Sequence, residues 1–342
     1  MKALFIGFGN VGRKLASILS REKERFPRLE DLEIVPVGIV TRSRGALTNP
    51  GGLDFNEALS MIEDRGMFAT DSPAYSETGA LEAAQGLEYD VLVELSTLSI
   101  EDRGEPAVSH IRAALSRGRH VVSANKGPVA FSYAELAGLA NEKGSRFLHE
   151  TVVMDGAPVF NLARCALKGC TVTGVEGIFN STTNFILTKM EQGVSLKEAV
   201  TEAQRIGVAE ADPSHDLDGW DAAAKTAALA NVLMGARITP YDVVRSGISG
   251  LTEDDVAKAL AKGCRLKLLC RAKPEGGVVR ATVRVEEVSS SHHYAAVSGG
   301  GAVLRIETDL MGPILVTQEE PTLYDTAYGV LDDLLTLQRV TH

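Results

Sequence analysis

The densest chemistry in this chain lies in EADPSHDLDGWDAAAK, Glu210 to Lys225, where Glu210, Asp212, Asp216, Asp218 and Asp221 precede an alanine run and one lysine. Asp221 and Lys225 are spaced i and i+4, so a helix brings them onto one face, and Asp218 is placed to cap that helix near Gly219. Three readings are open. A capped surface helix with an ion pair accounts for the spacing. An alanine-rich helix this apolar belongs in a core, however, where a lone lysine is rare, and Glu210, Asp212 and Asp216 have no matching cations in the stretch. That combination suits a pocket for a substrate ammonium group beside a lysine acid. With His215, the carboxylates also suit a divalent metal, a weaker reading because the neighbouring lysine would compete with the ion.

A second constellation opens the chain. GFGNVG, comprising Gly7, Phe8, Gly9, Asn10, Val11 and Gly12, follows an apolar run and stands at the mouth of a helical pattern. In that context the first glycine permits a tight turn and the second lets a pyrophosphate approach the backbone. The helix N-terminus supplies amides and the positive end of a dipole. Where the next strand ends, in VTRSRGA, an enzyme reading an unphosphorylated ribose would carry an acid. Arg42 and Arg44 stand there instead, which suits a 2′-phosphate and favours NADP over NAD; two solvated loop arginines are the alternative.

The elements that must position these groups follow from the periodicity. Short β-branched runs (LFIGFG, IVPVGIV, YDVLVELS, RHVVSANK, FLHETVV) alternate with helical stretches such as VGRKLASILSRE and PAVSHIRAALSRG, the latter ending at Gly118. This predicts a doubly wound α/β domain. Beyond it, TVTGVEGIF reads as a strand, SLKEAVTEAQRIG as a helix opened by a Ser195–Glu198 capping box, and WDAAAKTAALANVLMG as a helix closed by Gly235. VVRATVRVEEV and AVLRIETDLM read as strands flanking a Ser/Gly-rich loop at 289–301, and AYGVLDDLLTL as a last helix, which makes the second domain α+β. The expected division is 1–155 for dinucleotide binding, 156–310 for substrate binding, catalysis and dimerisation, and 311–342 as a segment returning to the first domain.

Composition narrows the partners. At 342 residues and 44% hydrophobic content the chain exceeds one typical core, and a net charge of −10 with 5% aromatics gives nucleic acid neither a basic face nor stacking platforms. No apolar run is long enough to span a bilayer or to act as a signal segment, so a cytoplasmic location is expected. Cys165, Cys170, Cys264 and Cys270 lack zinc-pair spacing and read as buried, reduced thiols.

AQRIGVAEADPSHDLDGWDAAAK, from Ala203 to Lys225, resembles the signature segment of the homoserine dehydrogenases. SANKGPVA, ETVVMDGAP and GIFNSTTNFIL resemble that family's other blocks in the same order, and the resemblance runs from the first strand to the last helix. It implies reduction of L-aspartate 4-semialdehyde to L-homoserine by a reduced nicotinamide cofactor, in threonine, methionine and isoleucine biosynthesis. Lys225 then takes the role of acid toward the developing alkoxide, with Lys126 beside nicotinamide and substrate at a strand end. Glu210, Asp221 and Asp216 take the α-ammonium. Ser96, Thr97 and Gly207 correspond to cofactor contacts. NSTTN, 180–184 and including Thr183, caps a helix or offers hydroxyls and amides to the substrate carboxylate. Glu150, Val153, Asp155 and Ala157 correspond to a loop that holds a monovalent cation such as Na⁺, although Asp155 replaces a smaller residue. The resemblance further implies a homodimer formed through the second domain, with the strands around 278–288 near the interface.

Two departures stand out. Near the C-terminus the family's glycine-rich turn is rebuilt as GPILVTQEEPTLYDTAYG, with Thr326 and Ala327 retained as a helix start, and the chain ends at His342 without the regulatory extension of longer members. Threonine inhibition through such an extension is not expected. The rival readings are an aspartate-semialdehyde dehydrogenase, which needs an activated cysteine, and a catalytically silent NADP-binding sensor.

Overall fold

The computed structural model describes residues 1–339, which divide into two units, Met1–Pro158 with the segment from Thr322 onward, and Val159–Pro321. In the first unit the strands are β1 (Lys2–Ile6), β2 (Val35–Val40), β3 (Ala46–Thr48), β4 (Tyr75–Ser76), β5 (Val91–Glu94), β6 (His120–Ser123) and β7 (Phe147–Leu148), in the order β4-β3-β2-β1-β5-β6-β7. From β2 to β7 neighbouring strands pair in parallel; β3 and β4 add an antiparallel edge that the sequence pattern did not predict. Ala3, Leu4, Phe5, Val91, Leu92 and Val93 are wholly buried, as continuous apolar runs must be when helices cover both faces. Those helices are α1 (Asn10–Leu19), α2 (Phe55–Arg65), α3 (Ala80–Gly86), α4 (Ala107–Ser116), α5 (Lys126–Glu142) and the single turn α6 (Thr151–Met154). Gly118 lies just past α4 at φ +70°, where a helix exit needs the left-handed region. FLHETVV departs from expectation, since only Phe147 and Leu148 pair and the chain then turns into α6.

The second unit is a sheet covered by helices, antiparallel throughout except for one short edge strand paired in parallel. Its elements are β8 (Val172–Ile178), α7 (Ser181–Met190), α8 (Leu196–Arg205), α9 (Ser214–Leu217), α10 (Trp220–Met234), β9 (Val244–Arg245), α11 (Glu253–Ala261), β10 (Cys264–Glu275), β11 (Val278–Ser289), α12 (His293–Ala296), β12 (Ala302–Thr308) and β13 (Ile314–Gln318). The order is β13-β12-β8-β10-β11-β9. β10 and β11 form a hairpin closed by Gly276 and Gly277, both at positive φ (59° and 85°), the residues a tight two-residue turn demands. α10 packs against β8, β10 and β11, and Ala222, Ala223, Ala224, Ala227, Ala228 and Ala230 are all wholly buried; the small side chains let the helix lie close on the sheet. The Ser195–Glu198 capping box opens α8, and Gly235 closes α10 in the left-handed region.

The chain then returns to the first unit as α13 (Leu323–Gln338), opened by a Thr322–Asp325 capping box. Ala327, Val330, Leu331, Leu334 and Leu337 join the core around Leu15, Ala16 and Phe5. The helix therefore starts earlier than Thr326, and residues 314–318 pair in the second sheet although they lie beyond position 310. Of the four free cysteines only Cys270 is buried; Cys165 is exposed, and Cys170 and Cys264 are half-buried because they sit at element ends, which corrects the expectation of four buried thiols.

Candidate active site

In the first unit the three glycines of GFGNVG perform three different tasks. Gly7 has φ +97°, and a Cβ there would lie 2.6 Å from the Leu95 carbonyl carbon and oxygen, so the turn out of β1 tolerates no side chain. A Cβ on Gly12 would meet Gly7 O and the Leu95 side chain at 3.2 Å, which sets how closely α1 approaches β5. Gly9 faces open space within 4 Å and is the N-cap of α1 with no side-chain cap, so the helix's first amides are open to an anion. Phe8 is buried against Phe68, Asn10 accepts the Arg13 guanidinium, and Val11 packs at the edge of the core. These residues fit a dinucleotide pyrophosphate, and they stand beside the point where the strand order reverses, between β1 and β5.

The turn after β2 carries both arginines. Thr41 and Gly45 close it, Arg42 is exposed, and the Arg44 guanidinium donates to the Phe8 carbonyl at 3.4 Å, which sets it beside the glycine turn. At the end of β5, Ser96 N–H donates to Glu94 Oε1 at 2.8 Å, and the Glu94 carboxylate meets His110 Nδ1 at 2.9 Å with both groups buried. Asn125 Nδ2 donates to Ser96 Oγ at 3.3 Å and to the Thr97 carbonyl at 3.2 Å while Asn125 Oδ1 caps α5. Lys126 is the first residue of α5 rather than a strand end, because β6 stops at Ser123 and Asn125 begins the helix. Sequence reasoning passed over Glu94, His110 and Asn125, although an acid closing the apolar strand VLVE was a visible signal.

In the second unit the charged stretch folds into α9 and the start of α10. Lys225 Nζ donates to the Phe179 carbonyl at 2.8 Å and lies 3.3 Å from Asp221 Oδ2, with the two side chains only 16% and 12% exposed. Asn180, the residue after Phe179, donates from Nδ2 to Asp216 Oδ1 at 2.6 Å and to Asp221 Oδ2 at 2.9 Å. The end of β8 thus gathers Asp216, Asp221 and Lys225 into one largely buried polar group. Glu210 stays exposed, its carbonyl accepting from Gln204, and Gly207 is exposed at φ +78°. Thr183 is wholly buried, its N–H and hydroxyl both donating back to Asn180.

Asp218 does not cap α10. The N-cap is Gly219 at φ +80°, and Asp218 Oδ1 instead accepts the Ser249 hydroxyl at 2.9 Å while its carbonyl accepts from Arg245. The neighbouring chain is pressed against this turn: a Cβ on Gly247 would lie 1.9 Å from the Leu217 carbonyl. Burial pushes the Cys270 thiol up to about 12, so it is a neutral, inert group and no nucleophile.

The segment 150–157 is fastened to α13. Glu150 N–H donates to the buried Asp333 at 2.8 Å, Thr151 Oγ1 to the Thr326 carbonyl at 3.1 Å, and Thr326 Oγ1 to Asp155 Oδ1 at 2.8 Å. Asp155 turns the chain at φ +47°, past the buried Val153 and before the buried Ala157. Among the described residues no group of three or more His, Cys, Asp or Glu side chains is arranged to hold a metal. No helix among them is long and apolar enough to cross a membrane.

Two family models match the chain, the homoserine dehydrogenase NAD binding domain over residues 7–150 and homoserine dehydrogenase over residues 158–335. An NAD(+)-dependent homoserine dehydrogenase of Pseudomonas canavaninivorans is 36% identical over 98% of this chain and 95% of its own. A homoserine dehydrogenase of Methanocaldococcus jannaschii is 34% identical over 100% and 99%. Among solved structures, a hyperthermophilic archaeal homoserine dehydrogenase in complex with NADPH superposes with a TM-score of 0.81 at 27% identity, over 98% of each chain. The two family models together span most of the chain and the relatives match it over nearly their whole length, so the chain that carries this glycine-built turn and this buried lysine–carboxylate group belongs to the homoserine dehydrogenase family.

Proposed function

We propose that, in the NAD(P)-dependent interconversion of L-aspartate 4-semialdehyde and L-homoserine, Asp216 and Asp221 hold the substrate α-ammonium and Lys225 is the acid. The nicotinamide, when bound, supplies the hydride. As the new C–H bond forms at the aldehyde carbon, the carbonyl electron pair moves to oxygen, and a Lys225 proton meets it; in the oxidative direction Lys225 takes the proton back. The observation that carries this reading is the burial of Lys225 between Asp221 and the Phe179 carbonyl, which fixes an ammonium at one point beside a carboxylate that Asn180 links to a second, Asp216. Glu210, exposed at the start of the same stretch, and Thr183 belong to the substrate by resemblance, Glu210 as a further acid. The assay is nicotinamide oxidation with aspartate semialdehyde: turnover above background supports the reading, and none with either cofactor refutes it.

Gly7, Gly9 and Gly12 cradle the pyrophosphate, Arg42 and Arg44 take the 2′-phosphate, and Ser96, Thr97, Lys126 and Gly207 serve the nicotinamide end, so NADP(H) binds more tightly than NAD(H). A monovalent cation at Glu150, Val153, Asp155 and Ala157 rests on the resemblance and on the sharp backbone turn at Asp155. The chain acts as a homodimer through its second unit, where Val278 and Val244 on neighbouring strands are 57% and 55% exposed; a sedimentation mass of one chain at working concentration would refute this. The four free thiols fit a reducing, cytoplasmic setting.

A further inference from the structure

Asn180 is 4% exposed, and the two ends of its side chain perform separate tasks. Oδ1 accepts the Thr183 N–H at 2.7 Å and caps α7; Nδ2 sends one hydrogen to Asp216 and the other to Asp221, at 2.6 and 2.9 Å. The orientation of the amide is settled by its partners, because a backbone N–H needs an acceptor and two carboxylates need a donor. The carboxylates come from different elements, α9 and α10, and as like charges they repel. A lysine or arginine between them would hold them together by cancelling their charge. A neutral double donor sets their spacing without adding a cation of its own to the one that Lys225 brings to Asp221 at 3.3 Å.

We propose that Asn180 is the positioning residue of the ammonium pocket, setting the spacing of Asp216 and Asp221 from the two hydrogens of one amide. The Phe179 carbonyl one residue earlier accepts from Lys225, so the chain leaving β8 sets acids and lysine in one frame. This inference rests on the assignment of Asp216 and Asp221 to the substrate ammonium.

Asn180→Ser and Asn180→Asp test it, because both keep a good helix cap and both remove the double donor. In the full-length enzyme the serine variant should raise the homoserine KM about tenfold, the size of a lost hydrogen bond to a charged group. The aspartate variant, which sets a third carboxylate against the two, should raise it further. The KM for NADP⁺ should hold, and melting of the serine variant should stay near that of the parent. A homoserine KM unchanged in both variants overturns the proposal, as does a rise in the NADP⁺ KM equal to that for homoserine. Asp221→Ala, measured alongside, separates the two levels. If it raises the homoserine KM while the Asn180 variants do not, only the role of Asn180 fails; if it too leaves the KM unchanged, the assignment of the acids fails beneath it.

Discussion

The two units offer their ligands different parts of the chain. Around Gly7, Gly9 and Gly12 the site is backbone, a turn that admits no Cβ, an open approach and the free amides of a helix start. Around Asn180 it is side chain, with two carboxylates and an ammonium held by hydrogen bonds from the end of one strand. A dinucleotide pyrophosphate needs closeness and many weak donors, which glycines provide. An amino-acid substrate needs a charge of fixed sign in a fixed place, which only side chains provide. Substitutions should therefore act through shape in the first unit and through charge in the second.

The sharpest break would come at Lys225. Lys225→Ala should lower kcat by roughly 10² to 10⁴, a general acid's usual share, with cofactor affinity and fold intact. Near-normal turnover in stopped assays would return Lys225 to the status of a helix ion-pair partner and leave Lys126 as the candidate acid. A smaller effect is expected at the turn after β2, where Arg42→Ala combined with Arg44→Ala should weaken NADP(H) binding by roughly 10- to 100-fold and spare the contacts that do not involve the 2′-phosphate, so NAD(H) titrates as before. Equal weakening of both cofactors would make the arginines structural.

Gly7→Ala and Gly9→Ala separate shape from ligand within a single turn. The first should destabilise the protein by about 1 to 3 kcal/mol from backbone strain alone, before any clash with Leu95 is counted. The second should melt normally and lose dinucleotide affinity. Thermal melts with and without cofactor decide between them, and identical behaviour of the two variants would contradict the division of labour. The smallest effect belongs to the scaffold: Thr322→Ala removes the cap of α13 and should cost about 1 kcal/mol in a denaturation midpoint without changing kcat.

The glycine turn was legible in the sequence because its function is its spacing, and the same holds for the Asp221–Lys225 pair and the Ser195–Glu198 cap. What escaped was set by contacts distant along the chain. β10 is a central strand, yet CRLKLLCRAKPE reads as interrupted by charge; Lys267 within it is wholly buried, with Asn184 and the Val297 carbonyl as its partners, and no local pattern announces that. Asp218 looked like a cap because it precedes a helix by the right interval, but Gly219 takes the turn and Ser249, thirty-one residues on, takes the carboxylate. Asn180 was visible as a possible cap and not as a brace, since the partners of its amide lie on two later helices.

The claim that Asp216 and Asp221 grip an α-ammonium is tested most directly by giving the enzyme homoserine and 4-hydroxybutanoate, which differ only in that group, with NADP⁺ in excess. The account predicts that the parent enzyme prefers homoserine in kcat/KM by about 10² to 10³, the size of a buried charge pair with one partner removed, and that Asp221→Ala loses most of this preference. Equal use of the two alcohols by the parent enzyme, or a preference that survives in Asp221→Ala, would contradict it.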